Sequence, residues 1–248
     1  MRICGIDQSM KSSGQVVMDL NDDTLDIKGI HFYGYTTVKC YGIHEGNVDI
    51  EYIGQYDEYR AKSMPERQSI AYSILERNLD GVSYVGMEDY AVSKTKQNSG
   101  SILQIAEFNG GVRYMLYNMG IGIMNFGIMQ VKRFATGDGH ADKAPMCESF
   151  KMLYPDLYPA DAFAKLREYE SPHNDLCDAF WMCEVLRCCM KVEKLGPESI
   201  PADQFAFLTT TQTKGALSLI EAPLIKKGVP YEPVRKKKRA KKKLQKKS

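Results

Sequence analysis

The first part of this 248-residue chain consists of short apolar runs and of stretches in which apolar and polar residues alternate. Residues 2–7 form a short apolar run that predicts a buried strand, and residues 8–14 form a polar, glycine-containing turn. Between 15 and 53, apolar and polar residues alternate and Tyr, Val, Ile and Thr are frequent. This pattern predicts antiparallel strands, with turns near 21–23 and 45–47.

After residue 53, segments whose apolar residues have helical spacing alternate along the chain with short apolar runs. The runs at 82–88 and 121–126 predict buried strands. The helical pattern predicts helices over 64–79, with Pro65 in its first turn, over 99–119, from near Ala141, and over 173–191. Strands followed by helices that alternate with strands predict an α/β domain with a mixed sheet flanked by helices.

The pattern weakens from about Lys194, where five prolines punctuate the chain. The sequence therefore divides into a domain over 1–193, a C-terminal extension of unknown role over 194–234, and a tail over 235–248. Ten like charges in the tail predict that it is disordered.

The net charge of +2 conceals two parts of opposite charge. The tail contains ten of the 33 Lys and Arg residues and no acid, so the remainder has 23 basic and 31 acidic residues and a net charge of −8. Such a tail suits a phosphate backbone, and a solubilising segment or a nuclear or nucleoid address is the alternative. The basic residues nearest the body are Arg235, Lys236, Lys237, Lys238 and Arg239.

Seven cysteines, an odd number without a Cys-x-x-Cys pair, predict free thiols in a reducing compartment. Their spacing predicts no zinc site. No apolar run is long enough to span a bilayer, and the first residues lack the pattern of a signal peptide. We therefore expect a cytoplasmic protein without a membrane partner.

Four carboxylates end or begin the predicted buried elements. Asp7 ends the first strand and Glu88 ends the strand at 82–88. If these strands are parallel neighbours, both carboxylates project at the carboxyl edge of the sheet, where open α/β sheets bind ligands. Asp175 and Asp178 lie three residues apart at the start of the last helix and share a face.

The two aspartates of the last helix differ in whether a purely structural role could explain them. Residues 176–186 are apolar almost all round, so an ionised Asp178 is costly unless it is paired or binds a cation. Asp175 has a structural alternative as a first-turn residue that the helix dipole favours. Carboxylates that converge without His or Cys ligands select Mg²⁺, for which Mn²⁺ substitutes, and two such ions support phosphodiester hydrolysis.

Four blocks of the sequence resemble the RuvC-type Holliday junction resolvases. The order and spacing of these blocks agree over residues 1–190, with insertions. The blocks are 5–14 (GIDQSMKSSG), 86–90 (GMEDY), 130–143 (QVKRFATGDGHADK) and 173–179 (HNDLCDA). The insertions and the divergence indicate a viral or phage member.

The resemblance implies an RNase H-like fold: a mixed five-stranded sheet flanked by helices, here with an extended antiparallel region and the C-terminal extension. It implies a homodimer, with the helix over 99–119 as a candidate dimer face, that makes paired symmetric nicks across a four-way DNA junction. By position, Asp7, Glu88, Asp175 and Asp178 are the metal-binding catalytic set. Lys143 then lies near the scissile phosphate, and Lys132 and its neighbour Arg133 lie near the DNA; ordinary surface residues are the alternative for these cations.

The sequence also departs from the family. Gln8 and Ser9 replace the Pro-Gly of the first turn, and Tyr90 stands one position before the place of the family's junction-probing aromatic residue. The loop over 92–100 contains Lys94 and Lys96, which we expect either to contact DNA backbone or simply to be solvated.

Three other functions remain open at this point. A nuclease of the same chemistry could act on other branched DNA or on RNA–DNA hybrids, because substrate choice lies in the surrounding surface. A non-catalytic DNA-binding protein could keep the fold, although all four carboxylates are present. An actin-like or sugar-kinase-like ATPase also opens with a strand, an Asp and a polar turn, but it needs a second comparable domain and a glycine-rich adenosine loop.

Overall fold

The computed structural model describes residues 1–38, 42–89, 99–211 and 217–229, and of 99–102 it gives the backbone alone. Within these ranges, eight strands form one sheet in the order β4-β5-β3-β2-β1-β6-β7-β8. The strands are β1 (Arg2–Asp7), β2 (Ser12–Leu20), β3 (Ile27–Thr36), β4 (Ile43–Glu45), β5 (Val48–Tyr52), β6 (Val82–Glu88), β7 (Gly122–Phe126) and β8 (Leu224–Ile225).

The five central strands have the order and directions of the RNase H-like fold. Strand β2 is antiparallel to both β1 and β3, while β6 runs parallel to β1 and β7 runs parallel to β6. The predicted mixed sheet is therefore confirmed. Three short strands extend it: β8 pairs antiparallel with β7, and the β4–β5 hairpin extends the other edge.

Two details of the sheet differ from the sequence prediction. The region after β2 is not wholly antiparallel, because β5 pairs parallel with β3. Strand β2 also begins at Ser12, inside the predicted turn, where Gly14 pairs with Asp7 and Ser12 pairs with Thr36. The polar Ser-Ser-Gly sequence is typical of a turn, but here pairing with two neighbouring strands extends the sheet.

Eight α-helices surround the sheet in the described part of the chain. Four coincide with predicted helices: α2 (Met64–Arg77), α3 (Ser99–Asn118), α5 (Lys143–Leu153) and α7 (His173–Leu195). Helix α2 begins with a capping box between Ser63 and Glu66. The others are short and were not predicted: α1 (Tyr56–Ala61), α4 (Ile128–Thr136), α6 (Ala160–Phe163) and α8 (Ala202–Thr209).

The two faces of the sheet bury different sets of helices. On one face, Ile3 of β1 packs in a cluster with α4, α5 and α7, including the fully buried Trp181. On the other, Cys4 and Ile6 pack with the apolar sides of α2 and α3. Because strand side chains alternate faces, Gly5 and Asp7 point to the α7 side together with Ile3.

The described residues after α7 pack on the same domain. Ile200, Leu208 and Leu219 are buried in the cluster around α7, and β8 completes one edge of the sheet. This covers part of the segment that the sequence analysis treats as an extension. A search of the described helices finds none with both the length and the apolarity of a transmembrane span.

Candidate active site

Asp7 and Glu88 lie at the same edge of the sheet. Strands β1 and β6 are parallel neighbours, with Gly5 opposite Gly86 and Ile6 opposite Met87. Each carboxylate is the last residue of its strand, so both project beyond the carboxyl ends of adjacent strands. This is the arrangement that the sequence analysis required for a shared site.

Three glycines allow helix α7 to lie directly against the strand ends. A Cβ on Gly5 would lie 2.0 Å from the carbonyl oxygen of Ala179, far inside van der Waals contact. A Cβ on Gly14 would lie 2.3 Å from the Asp175 carbonyl oxygen, and one on Gly86 would lie 2.7 Å from that of Met182. Only glycine permits this approach, which carries Asp175 and Asp178 to the edge where Asp7 ends.

The strand ends and the start of α7 bring the four carboxylates into one region, where the other three charges act on Asp7, but among the described residues no three of them have oxygens within 4.8 Å of one another. Desolvation, followed by the charges of Asp175, Asp178 and Glu88, raises the pKa of Asp7 well above its usual range. Desolvation also raises the pKa of Asp178 to about 7, with Cys147 and Asp175 adding to the effect. The pKa of Glu88 is raised, mainly by desolvation. We call these four residues the carboxylate cluster.

The donor set of the cluster fits a hard divalent cation. Several carboxylates held together in a desolvated place repel one another, and a cation would remove that repulsion. Their oxygens are the ligands that Mg²⁺ and Mn²⁺ prefer. Asp7, Glu88 and Asp178 each keep some exposed surface, so a ligand from solvent can reach them.

Asp175 differs from the other three because its oxygens already accept hydrogen bonds. The Ser12 hydroxyl donates to its Oδ2, while Ser171 Oγ at 3.1 Å and Asn174 Nδ2 at 2.8 Å donate to its Oδ1. A carboxylate accepts about four hydrogen bonds, so one position remains for a metal. These donors fix the orientation of Asp175 and were not predicted, because the partners are far apart in sequence.

Two predicted cations lie near the cluster. Lys143 is exposed at the first position of α5, and its charge lowers the pKa of both Asp7 and Asp178. The charge of Lys132 lowers the pKa of Glu88 and Asp178, while its Nζ donates a 2.6 Å hydrogen bond to the carbonyl oxygen of Ala141. Lys132 therefore also holds the loop before α5.

For the other residues that were predicted to contact DNA, the structure gives no interaction with the carboxylate cluster. Arg133 is half-buried in the last turn of α4. The other predicted residues lie outside the described part of the chain: Tyr90, Lys94, Lys96, Arg235, Lys236, Lys237, Lys238 and Arg239.

Arg113 is a site residue that the sequence analysis missed. Its guanidinium donates to the backbone carbonyl oxygen of Glu88 at 2.7 Å and to Asn125 Oδ1 at 3.1 Å. Gln8 Nε2 donates to the same Glu88 carbonyl at 3.4 Å. A signal was present in the sequence, because Arg113 and Glu107 are the only charged residues of α3.

A second group of ligand-type residues forms beside α7. Atoms of Cys147, His173 and Cys177 lie within 4.8 Å of one another, and all three residues are buried. The sequence spacing predicts no such group, because one member comes from α5 and two come from α7. The two ring nitrogens of His173 already have partners: Nδ1 accepts from the Tyr169 N–H at 3.0 Å, and Nε2 is 3.0 Å from the Tyr158 hydroxyl.

Comparison with known proteins gives matches among solved structures alone. The sequence matches no protein-family model and no curated protein. Thermus thermophilus RuvC matches with a TM-score of 0.45 and 16% identity, over 79% of this chain and 97% of that one. The T. thermophilus RuvC in complex with a Holliday junction substrate matches with a TM-score of 0.48 and 17% identity, over 79% and 96% of the two chains.

The yeast mitochondrial Holliday junction resolvase Ydc2 matches with a TM-score of 0.48 and 12% identity, over 79% of this chain and 82% of that one. All three belong to the kind of protein that the sequence blocks resemble. All three TM-scores are below 0.5, so the RNase H-like assignment depends on the strand order and directions of this chain itself.

Proposed function

We propose that this chain is a divalent-metal-dependent endonuclease that resolves four-way DNA junctions. The observation that carries the proposal is the convergence of Asp7, Glu88, Asp175 and Asp178 from two strands and one helix. Together with the four sequence blocks, this cluster favours phosphodiester hydrolysis. The substrate, a four-way junction, is supported by the sequence resemblance.

We assign a different role in the reaction to the carboxylate cluster and to the residues around it. The four carboxylates would hold the cation, and when bound it supplies activation of a water and stabilisation of the leaving oxygen. The Ser12, Ser171 and Asn174 donors fix Asp175 in place. Exposed Lys143, beside the cluster, neutralises charge on the scissile phosphate.

Paired nicks require two copies of the site, and helix α3 offers a surface for a homodimer. Its buried side carries Phe108, Val112 and Leu116. Its outer side exposes Leu103, Tyr114 and Tyr117 at helical spacing, with Leu103 and Tyr114 about 70% exposed. Exposed apolar residues on one stripe of a helix are typical of an interaction surface.

Among the rival functions, the ATPase has the least support, because the described residues form one sheet and contain no second comparable domain. A nuclease with a different substrate shares the same cluster and is distinguished by experiment. The full-length chain should be incubated with a four-way junction, a three-way junction, a flap, a linear duplex and an RNA–DNA hybrid, with Mg²⁺ or with chelator.

We expect Mg²⁺-dependent paired cleavage of the four-way junction. Asp7→Asn and Asp178→Asn should each abolish cleavage and leave junction binding intact, because the carboxylates hold the metal and repel phosphate without it. Asp203→Asn, in the exposed first turn of α8, is the matched control and should cleave normally. Full cleavage by either cluster variant would refute the assignment.

A further inference from the structure

Glu88 lies where the pairing between β6 and β1 stops. The register of these two parallel strands ends with Ile6 opposite Met87, one residue before Glu88. On the other side of β6, Glu88 lies opposite Phe126, and the Asp89 N–H donates to the Phe126 carbonyl oxygen at 2.9 Å. Backbone pairing therefore ties this strand end to β7, while polar groups of the main chain on the side of β1 need other partners.

Two side chains donate hydrogen bonds to the Glu88 carbonyl oxygen at this point. Arg113 Nη2 donates at 2.7 Å, and Gln8 Nε2 donates at a longer 3.4 Å. Gln8 directly follows Asp7, so the longer bond links the end of β1 to the end of β6. The shorter bond comes from the charged guanidinium on α3, and such bonds are about twice as strong as those between neutral groups.

The Arg113 guanidinium is fixed at three points. Its Nε donates to Asn125 Oδ1 on β7 at 3.1 Å, its Nη1 donates to the Asn109 carbonyl oxygen on α3 at 3.3 Å, and its Nη2 donates to Glu88. A guanidinium holds three nitrogens in one rigid plane, whereas a lysine side chain offers one nitrogen. Arginine can therefore connect α3, β7 and the end of β6 through a single side chain, and lysine cannot.

Arg113 reaches Glu88 from the face of the sheet opposite the other carboxylates. Side chains alternate along β6, and Gly86 faces α7, so Glu88, two residues later, points to the α7 side, where Asp175 and Asp178 lie. Helix α3 packs on the other face of the sheet. The hydrogen bond from Arg113 is made to the main chain of Glu88, so it fixes the strand end that carries the carboxylate.

We propose that Arg113 is a positioning residue of the nuclease, which fixes the end of β6 so that the Glu88 carboxylate stays where it can hold the divalent cation. This proposal rests on the proposed function, because it assigns Arg113 to the same metal site. Residues that orient metal ligands without touching the metal typically contribute roughly 10–100-fold to metal affinity or activity. Loss of the guanidinium should therefore weaken metal binding and leave DNA binding unchanged.

The first experiment measures metal affinity of the full-length chain and needs no cleavage. The probe is Mn²⁺, whose free concentration is measured by electron paramagnetic resonance. Arg113→Met keeps an apolar stem and removes every donor, so we expect the Mn²⁺ dissociation constant to rise by roughly tenfold. Arg113→Lys can still donate to the Glu88 carbonyl but loses the simultaneous links to Asn125 and Asn109, so it should recover part of the affinity.

Two further variants separate positioning from a purely structural role. Arg77→Met is the matched control, because Arg77 pairs with Glu51 in the last turn of α2, before β6 begins, and its loss should leave Mn²⁺ affinity unchanged. Asn125→Leu removes one acceptor and keeps Arg113, so it should raise the dissociation constant by a smaller factor. Urea denaturation gives the stability of each variant, and a structural role alone would lower stability without changing the Mn²⁺ affinity of the folded chain.

The second experiment measures cleavage of a four-way junction over a MgCl₂ series and junction affinity in chelator. We expect Arg113→Met to need roughly tenfold more Mg²⁺ for half-maximal cleavage, with unchanged junction affinity and partial rescue by Arg113→Lys. Unchanged Mn²⁺ affinity and unchanged Mg²⁺ dependence in Arg113→Met would overturn the positioning role while the nuclease stands. Arg113-dependent Mn²⁺ binding in a chain that cleaves no junction would instead overturn the proposed function. Absence of Mn²⁺ binding by the unsubstituted chain would overturn both.

Discussion

Asp178 is the carboxylate on which the metal proposal depends most. It projects from a helix whose neighbouring residues are fully buried, including Ala179, Phe180 and Trp181. Desolvation and the nearby charges of Cys147 and Asp175 raise its pKa from 3.8 to about 7. A group in this position is ionised at neutral pH only at a cost, and a divalent cation would offset that cost.

This shift predicts how the stability of the metal-free protein depends on pH. In the unfolded chain Asp178 has a pKa of about 3.9, so between roughly pH 4 and pH 7 the folded state binds more protons than the unfolded state. The free energy of unfolding should therefore fall as pH rises through this window. Mg²⁺ binds the ionised form, so it should raise Tm more at about pH 8 than at about pH 6, measured by thermal unfolding.

The Asp178→Asn variant separates this effect from the rest of the protein. Asn does not ionise, so the variant should lose much of the pH dependence and of the Mg²⁺-induced rise in Tm. Asp203→Asn removes an exposed carboxylate outside the cluster and should keep both. An equal Mg²⁺ effect in Asp178→Asn and in the unsubstituted chain would mean that Asp178 does not hold the metal.

At the scale of elements, the site depends on the close contact between α7 and the sheet. Gly5, Gly14 and Gly86 remove the side chains that would separate the helix from β1, β2 and β6. The same contact buries Leu176 and Cys183 and brings Asp175 and Asp178 to the strand ends. Packing and site geometry are therefore set by the same three positions.

Gly5→Ala should damage both stability and activity. Its Cβ would lie 2.0 Å from the Ala179 carbonyl oxygen and 2.5 Å from the Cys183 nitrogen, both backbone atoms that cannot move alone. We expect a loss of about 1–3 kcal/mol or more in the free energy of unfolding, measured by urea denaturation, because overpacking forces the helix away. The displaced helix should also weaken cleavage.

Gly29→Ala is the matched control, since the nearest atoms to its Cβ lie at 3.5 Å in the flexible side chain of Asp19. Gly29 also lies within a strand, so any effect on stability that comes only from replacing a glycine in a sheet should be the same in both variants. Similar unfolding free energies for the two variants would show that the close approach of α7 is not required.

The sequence predicted the elements whose patterns are long or strongly apolar. Helix α7 and the strands ending at Asp7 and Glu88 formed close to their expected bounds, and this placed the carboxylates correctly at the strand ends. Helix α4 was missed because the apolar run from Ile121 to Val131 continues from strand β7 into the helix without a change in composition. Two-residue β8 has no detectable pattern and forms by pairing with β7.

The contacts around the site could not be read from the sequence for a different reason. Ser12 and Asp175 meet across 163 positions, and Arg113 reaches the Glu88 carbonyl from another layer. Cys147 joins His173 and Cys177 only because α5 packs on α7. Such pairs depend on the assembled fold, whereas periodicity describes one element at a time.

The whole molecule separates its charges along the chain. Without residues 235–247 it has a net charge of −8, and under the proposed function a DNA phosphate would have to bind beside the carboxylate cluster. The last described residue is Val229. The nineteen residues after it could extend up to about 65 Å, so the basic tail is long enough to contact DNA well away from the cluster.

The tail should therefore supply affinity without supplying sequence preference. Each phosphate contact contributes about −0.9 to the slope of log affinity against log salt concentration, so deleting 235–248 should make that slope shallower by several units.

The measurement is fluorescence anisotropy with a labelled four-way junction over a NaCl series, in an Asp7→Asn background that prevents cleavage. A chain whose ten tail Lys and Arg residues are replaced by Gln controls for length and should behave like the deletion. If the tail contacts only the phosphate backbone, the preference of cleavage for a four-way junction over a linear duplex should persist in otherwise unsubstituted chains that lack the tail. An unchanged salt slope would show that the tail makes no backbone contact, which would favour its alternative role as an address.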